Sequence, residues 1–236
     1  VSSIRAILTD IEGTTTPIAF VHETLFPFSR NRLAGFCRTH ATEPQISKAL
    51  QDARELAEEP TLGLEATIAL LDRWIVEDKK AGPLKTIQGL IWREGYDEGV
   101  LRSEVYPDAA AQLRKWHALG LDLYVYSSGS EEAQRLIFSH SDQGDLAPLF
   151  KGFFDTRMGT KADAQSYRHI TKAIGVLASE TLFLTDIAAE VTAAKEAGLQ
   201  VVRIDRALAP DTLSQDAGGV VAGSFSPVES AFSMRD

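Results

Sequence analysis

The sequence predicts an α/β fold: a doubly wound parallel-sheet core interrupted near its start by an all-helical block. Three observations lead there. From Tyr106 onward, short apolar runs alternate with amphipathic stretches of helical spacing, and strands alternating with helices imply a parallel sheet covered on both faces. Between residues 29 and 101 the texture changes to helical spacing with few β-branched runs. Finally, three strand-like runs end on residues able to do chemistry, Asp10, Ser127 and Asp186. Sheets of this kind bind ligands beyond the carboxyl ends of their strands. The expected organisation is residues 1–16 with 106–236 as catalytic core and 17–105 as a helical insert.

Taken in order, residues 4–8 read as a strand that turns at a glycine in Asp10-Ile11-Glu12-Gly13-Thr14-Thr15. In the helical block, stretches 46–58 and 64–78 carry helical spacing, punctuated by Pro44, Pro60, Gly63, Gly82, Pro83, Gly95 and Gly99. Residues 108–119 form an amphipathic helix, with Asp108 as N-cap after Pro107 and Gly120 as its stop. Residues 121–126 form a strand that ends in Ser127-Ser128-Gly129-Ser130 and feeds a helix over Glu131–Ser139. A short strand at 152–154 precedes a helix at 161–174, closed by Gly175. The strand Thr181–Thr185 ends at Asp186, a helix follows at 188–197, and Gln200–Ile204 is a further strand. The tail from Arg206 reads as loop-rich.

Composition narrows the function. At 236 residues the chain is long for one compact domain and short for two ordinary ones. Hydrophobic content of 44% and charged content of 24% are ordinary for a soluble globular protein. A net charge of −9 argues against nucleic acid or an anionic membrane as main partner, since both need a basic footprint. A small phosphorylated substrate needs only local positive charge or a metal. Cys37 is the single cysteine, so an intramolecular disulfide and a cysteine metal cluster are both out of reach, and a small core residue is the expected role. A reducing, cytoplasmic location is expected, as no apolar run reaches membrane-spanning length and no basic-then-apolar leader opens the sequence. No zipper pattern announces an interface, and a monomer is expected.

Asp10 and Glu12 sit two residues apart, so on a strand they face one way. Two such acids repel unless a cation or proton settles the charge. If the first and fourth core strands are neighbours, Asp186 joins them, and hard oxygen ligands of this kind suit Mg²⁺. An Asp before a helix also serves as a plain N-cap. Lys161 opens a helix in this reading, against the macrodipole. A lysine there either holds an anion or carboxylate or is simply solvated. Ser127 and Ser128 with Gly129 make a polar turn whose hydroxyls and N–H groups can cradle phosphate, cap the Glu131 helix, or both. The five histidines are scattered and no Gly-x-Ser-x-Gly elbow is present, which disfavours a serine triad; His22 alone lies near enough to the first turn to be a site candidate. Together these parts suit phosphoryl transfer: a carboxylate attacks phosphorus, Mg²⁺ neutralises charge, hydroxyl, backbone and lysine groups hold the oxygens, and a second carboxylate handles the proton.

Asp10-x-Glu12-Gly13-Thr14, the serine turn, Lys161, and Asp186 with Glu190 resemble the four ordered motifs of the haloacid dehalogenase superfamily. The helical block resembles that superfamily's inserted cap. Most phosphatases of the superfamily have Asp where this chain has Glu12. Asp-x-Glu-Gly-Thr-Thr, Val125-Tyr126-Ser127-Ser128-Gly129-Ser130, Phe183-Leu184-Thr185-Asp186-Ile187, the run from Leu101 to Asp108 and Trp92-Arg93-Glu94-Gly95-Tyr96 resemble one subgroup, the enolase-phosphatases of methionine salvage. The resemblance implies enolisation of 2,3-diketo-5-methylthiopentyl 1-phosphate, then hydrolysis through an aspartyl-phosphate to an acireductone. It implies Asp10 as nucleophile and Glu12 as acid and base. It implies Mg²⁺ held by the Asp10 side chain, the Glu12 backbone carbonyl and Asp186, and substrate bound by Ser127, Ser128 and Lys161. The cap is expected to exclude water from the enol. Arg93, Glu94 and Tyr96 are expected in a glycine-rich loop at the methylthio end, and Trp92 in the cap's own core. A generic Mg²⁺-dependent phosphatase without an enolase step is the alternative that the motifs leave open.

Overall fold

The computed structural model describes residues 3–234. The chain divides into two compact units. One comprises the chain up to Ile18 and again from Arg102, the other is Ala19–Leu101. The second boundary falls earlier than the expected residue 106 because residues 103–105 are tied into the first unit. Ser103 N–H donates to His140 O (2.9 Å) and Val105 N–H to Asp142 Oδ1 (3.0 Å).

The helical unit opens with a wide π turn, Phe20–Leu25, that runs into α1, Phe26–His40. Pro27 lacks an N–H and crowds the preceding turn, which explains the widening there. The remaining helices are α2 (Pro44–Leu56), α3 (Leu64–Val76) and α4 (Gly82–Asp97). Their apolar faces enclose Leu33, Ile46, Leu50, Leu71, Trp74 and Ile87. Cys37 lies in the same core, and burial pushes its thiol up to about 11, which fits an inert packing residue.

One expectation fails here. Arg93, Glu94 and Tyr96 are not in a loop but on the last turns of α4. Gly95 reads as a loop signal but is a packing glycine: a Cβ on it would lie 2.4 Å from Phe28 Cζ. The helix runs on to Asp97 with Glu98 as its C-cap, and the chain turns just beyond at Gly99, whose φ of +69° suits a residue without a Cβ. Tyr96 is buried, and so is Trp92, whose Nε1–H donates to Leu25 O (2.8 Å).

The other unit is the α/β layer structure. In chain order its elements are β1 (Ala6–Thr9), α5 (Pro107–Ala118), β2 (Asp122–Tyr126), α6 (Glu131–Ser139), β3 (Phe150–Phe154), α7 (Ala164–Ile174), β4 (Thr181–Thr185), α8 (Ala188–Glu196), β5 (Gln200–Ile204), β6 (Leu213–Asp216) and β7 (Gly219–Ala222). Among the described residues the sheet has seven strands in the order β3-β2-β1-β4-β5-β7-β6. All pairings are parallel except β6 with β7. The first and fourth strands are neighbours, so β1 lies between β2 and β4. Every residue of β1 and β4 is buried, as expected of strands covered on both faces. Register sets Thr9 opposite Val125 on one side and Leu184 on the other. The strand order reverses between β1 and β4, and a doubly wound sheet opens its ligand crevice at that point.

The loop-rich tail also adds the β6–β7 hairpin to the sheet edge; Leu213-Ser214-Gln215-Asp216 is exposed throughout and shows no apolar alternation to reveal a strand. Two readings of this unit are corrected. Asp108 is not the cap of α5. Tyr106 holds the N-cap position, followed by Pro107, and the Asp108 carboxylate instead accepts from Arg206 (2.8 and 2.9 Å) and from Phe225 N–H (2.8 Å). Lys161 does not open α7, which begins at Ala164 with Asp163 as N-cap.

Candidate active site

The carboxyl ends of β1, β2 and β4 each deliver an expected residue. Asp10 follows β1 directly and is buried; its N–H donates to Leu184 O of β4 (2.9 Å). Behind it the chain coils tightly. The N–H groups of Thr14, Thr15 and Thr16 all donate to Ile11 O, and Thr15 Oγ1–H donates to Asp10 O (3.1 Å). Such a turn needs Gly13, at φ +74°. A Cβ there would lie 2.3 Å from Asp186 Oδ2, so the glycine also lets Asp186 come against the β1 loop.

Lys161 reaches the same place from the turn before α7. Its Nζ stands 2.6 Å from Asp10 Oδ1 and 2.9 Å from Glu190 Oε2, with all three side chains nearly buried. The lysine's position is thus explained by two carboxylates rather than by a clash with a helix dipole. Paired this way, its ammonium is held above the usual lysine range, the two negative charges outweighing burial. Glu190, on the first turn of α8, also accepts from Thr185 Oγ1–H (2.6 Å). Burial, then the charge of Asp10, pushes its carboxyl up to about 7. One ammonium shared between two acids leaves the second incompletely compensated.

Glu12 turns its side chain toward β2. Ser127 Oγ–H donates to Glu12 Oε2 (3.2 Å), and Ser127 Oγ accepts from Gly129 N–H (3.1 Å). Burial first and Asp10 second raise the Glu12 carboxyl above its ordinary value. The capping role open to the serine turn falls to Ser130, whose Oγ accepts from Ala133 N–H (3.3 Å). That leaves buried Ser127 for Glu12. Ser128 stands beside Lys161, Ile187 and Glu190 around a hollow of about 470 Å³.

Asp186 is not an N-cap. Ile187 holds that position on α8, and its N–H donates to Thr185 Oγ1 (3.2 Å). Asp186 Oδ1 is buried with no hydrogen-bond partner, and burial followed by the Asp10 charge raises this carboxyl too. A buried, unpartnered carboxylate oxygen is costly unless something meets it. Asp10, Glu12, Asp186 and Glu190 together outnumber the Lys161 ammonium, and the excess negative charge favours a cation. No group of three or more His, Cys, Asp or Glu side chains among the described residues is set to hold a metal alone. Mg²⁺ commonly uses one or two carboxylates and completes its shell with other oxygens.

Of the expected residues, Asp10, Glu12, Ser127, Lys161 and Asp186 meet through these contacts and charges. His22 lies in the helical unit, where its exposed ring packs edge-on against Phe26 (5.7 Å). Glu190 stands out in the sequence only as part of the last motif. Its signal is the spacing Asp186-x-x-x-Glu190, which turns an acid back toward the strand end on the first turn of a helix.

A sequence model of the haloacid dehalogenase-like hydrolases matches residues 4–198. The chain is 56% identical over 230 residues to the Enolase-phosphatase E1 of Parvibaculum lavamentivorans, covering 98% of this chain and 97% of that protein. It is 52% identical to the Enolase-phosphatase E1 of Pseudomonas syringae pv. syringae, covering 86% and 89%. Among solved structures it is similar to the UTR4 protein of Saccharomyces cerevisiae, with a TM-score of 0.74, 32% identity and coverage of 86% and 90%. The L-2-haloacid dehalogenase of Xanthobacter autotrophicus shares the fold at a TM-score of 0.56 and 17% identity, covering 98% and 100%.

Proposed function

The chain belongs to the haloacid dehalogenase-like hydrolases, and on that premise we infer that it is an enolase-phosphatase of L-methionine salvage. It enolises 2,3-diketo-5-methylthiopentyl 1-phosphate and then hydrolyses the phosphate ester to an acireductone. The observation that carries the phosphatase half is the buried Asp10 carboxylate at the end of the central strand, with Lys161 Nζ at 2.6 Å. Identity of 56% across nearly all of the Parvibaculum enzyme supports the enolase half.

The residues fit Mg²⁺. The donors are hard oxygens, Asp186 Oδ1 is buried without a partner, and Gly13 clears the space beside Asp186. The Asp10 and Asp186 side chains and the Glu12 backbone carbonyl would hold the ion. When bound, Mg²⁺ supplies Lewis-acid polarisation of a carbonyl and neutralises phosphoryl charge.

The chain's own residues do the rest. Asp10 Oδ1 is engaged by Lys161 and by Ile11 N–H (2.8 Å), so Oδ2 is the oxygen that attacks phosphorus. The new phosphorus–oxygen bond makes an aspartyl-phosphate as the ester oxygen leaves and takes a proton from Glu12. Glu12 then takes a proton from the water that hydrolyses the intermediate. Ser127, Ser128 and the Lys161 ammonium hold the phosphoryl oxygens. Glu12 reaches one methylene further than Asp, and we assign that reach to moving a proton on carbon during enolisation.

The test supplies the diketone phosphate with and without Mg²⁺ and follows enol absorbance and free phosphate together. Asp10→Asn is expected to abolish phosphate release while enol still accumulates. Glu12→Asp is expected to slow enol formation more than phosphate release, and equal losses would remove the special role for side-chain length. Phosphate release from generic esters, with no enol from the diketone, would favour the plain phosphatase.

A further inference from the structure

We propose that Tyr126, Ser166 and Tyr167 are positioning residues that clamp the turn carrying Lys161 by three consecutive carbonyls and so set its ammonium between Asp10 and Glu190. The proposal rests on the phosphoryl-transfer reading of the site.

Tyr126 O–H donates to Gly159 O (3.0 Å), Ser166 Oγ–H to Thr160 O (2.7 Å) and Tyr167 O–H to Lys161 O (2.8 Å). The three donors come from two elements, Tyr126 from the end of β2 and Ser166 with Tyr167 from the first turn of α7. All three are essentially inaccessible to solvent. A buried tyrosine hydroxyl needs a partner, and these three find theirs on successive peptide groups of one turn.

The turn needs such a clamp. Lys161 lies outside any helix, three residues before α7 begins, so no ladder of backbone bonds fixes it. Its side chain has a flexible four-carbon stem with about 2 kcal/mol of rotamer entropy, yet its Nζ must meet two carboxylates at once. Tethering the peptide carbonyls at 159, 160 and 161 fixes the root of that stem. The Tyr126 ring also stands under the ammonium, 5.8 Å from Nζ to the centroid, and meets the Tyr167 ring edge-on at 5.5 Å. Gly159 belongs to the same device. Its φ is +123°, and a Cβ there would come within 2.2 Å of Ser166 Oγ, so only glycine lets the serine reach the next carbonyl.

The clamp acts through Lys161, which separates it from a merely structural role. The experiment compares Ser166→Ala/Tyr167→Phe with the parent protein, in the natural background and in Lys161→Met. In the natural background kcat/KM for phosphate release is expected to fall about 10- to 100-fold, the scale of a misplaced catalytic group. In Lys161→Met the same pair should remove no more than about twofold of the residual activity, because interacting sites are non-additive. Equal factors in the two backgrounds overturn the proposal. Peptide-level hydrogen exchange gives an arm that needs no turnover: residues 159–163 should exchange faster in the double variant while β1 and β4 keep their protection. Unchanged exchange at 159–163 also overturns it. Should the double variant fail to fold, Tyr126→Phe, which keeps the ring and loses the hydroxyl, undergoes the same two measurements, and the same outcomes support or overturn the clamp. A parent protein that releases no phosphate sinks the phosphatase reading, and the exchange arm still decides the clamp.

Discussion

At the scale of single residues, the site is a charge arrangement assembled from acids that would repel one another. Asp10, Glu12, Asp186 and Glu190 crowd around one ammonium, and burial raises three of these carboxyls above their ordinary values. Gly13 is the residue on which this crowding depends. Its positive φ shapes the loop, and its missing side chain leaves room for Asp186 Oδ2. Gly13→Ala is expected to strain the turn and push Asp186 away. The Mg²⁺ concentration needed for half-maximal phosphate release should rise about 10- to 100-fold, the usual range for disturbing a metal site's support. A magnesium titration checks it, and an unchanged requirement would show that the glycine serves only the turn. Asp10, Glu12 and Asp186 can be picked out from the sequence because acids at strand ends break the apolar pattern. The hydroxyls of Tyr126, Ser166 and Tyr167 cannot, since aromatic and small residues are ordinary in a buried strand or helix face, and only the fold shows where their O–H groups point.

At the scale of elements, the connection after β5 ties the loop at residues 10–16 to the tail. The Arg206 guanidinium pairs with Asp108 on α5 (2.8 and 2.9 Å), donates to Thr14 O and lies 4.0 Å over the Tyr106 ring. Asp108 in turn accepts from Phe225 N–H. Removing Arg206 leaves the partly buried Asp108 carboxylate with only the Phe225 N–H and takes the guanidinium donor from the Thr14 carbonyl. Charge-assisted hydrogen bonds of this kind contribute about 1.5–3 kcal/mol each. Arg206→Ala is therefore expected to lower the thermal midpoint by several degrees, at about 2–4 °C for each kcal/mol in domains of about 150–250 residues. Thermal unfolding followed by circular dichroism checks this, and an unchanged midpoint would mean the network adds nothing net. These contacts are illegible in the sequence because Asp108 after Pro107 matches a local N-cap signature, while its real partners are about one hundred residues away. The helix containing Arg93, Glu94 and Tyr96 misleads for a similar reason. Gly95 looks like a breaker in sequence, but in the fold it answers to the Phe28 ring.

At the scale of the whole molecule, alternating strands and helices predict the parallel sheet. The adjacency of β1 and β4, assumed in grouping Asp10 with Asp186, is present in the strand order. Large exposed apolar side chains among the described residues include Leu56, Val76, Leu119 and Leu177, and single exposed apolar residues are ordinary on a folded protein. The protein is expected to elute from a sizing column near its mass of 25.7 kDa, and elution at twice that mass would point to a dimer. The linear sequence by itself determined the α/β class, the four motifs in order and a set of side chains whose chemistry suits attack, proton transfer and phosphate binding. Those properties depend on local periodicity and side-chain chemistry, which are written residue by residue. Only the tertiary structure decided that Lys161 stands outside a helix between Asp10 and Glu190, that Ser127 serves Glu12 while Ser130 caps, and that Asp186 keeps a buried oxygen unpartnered. Each of these is a choice between partners far apart in the chain. Local sequence offers several candidates for every donor and acceptor, and close packing around a common sheet selects among them.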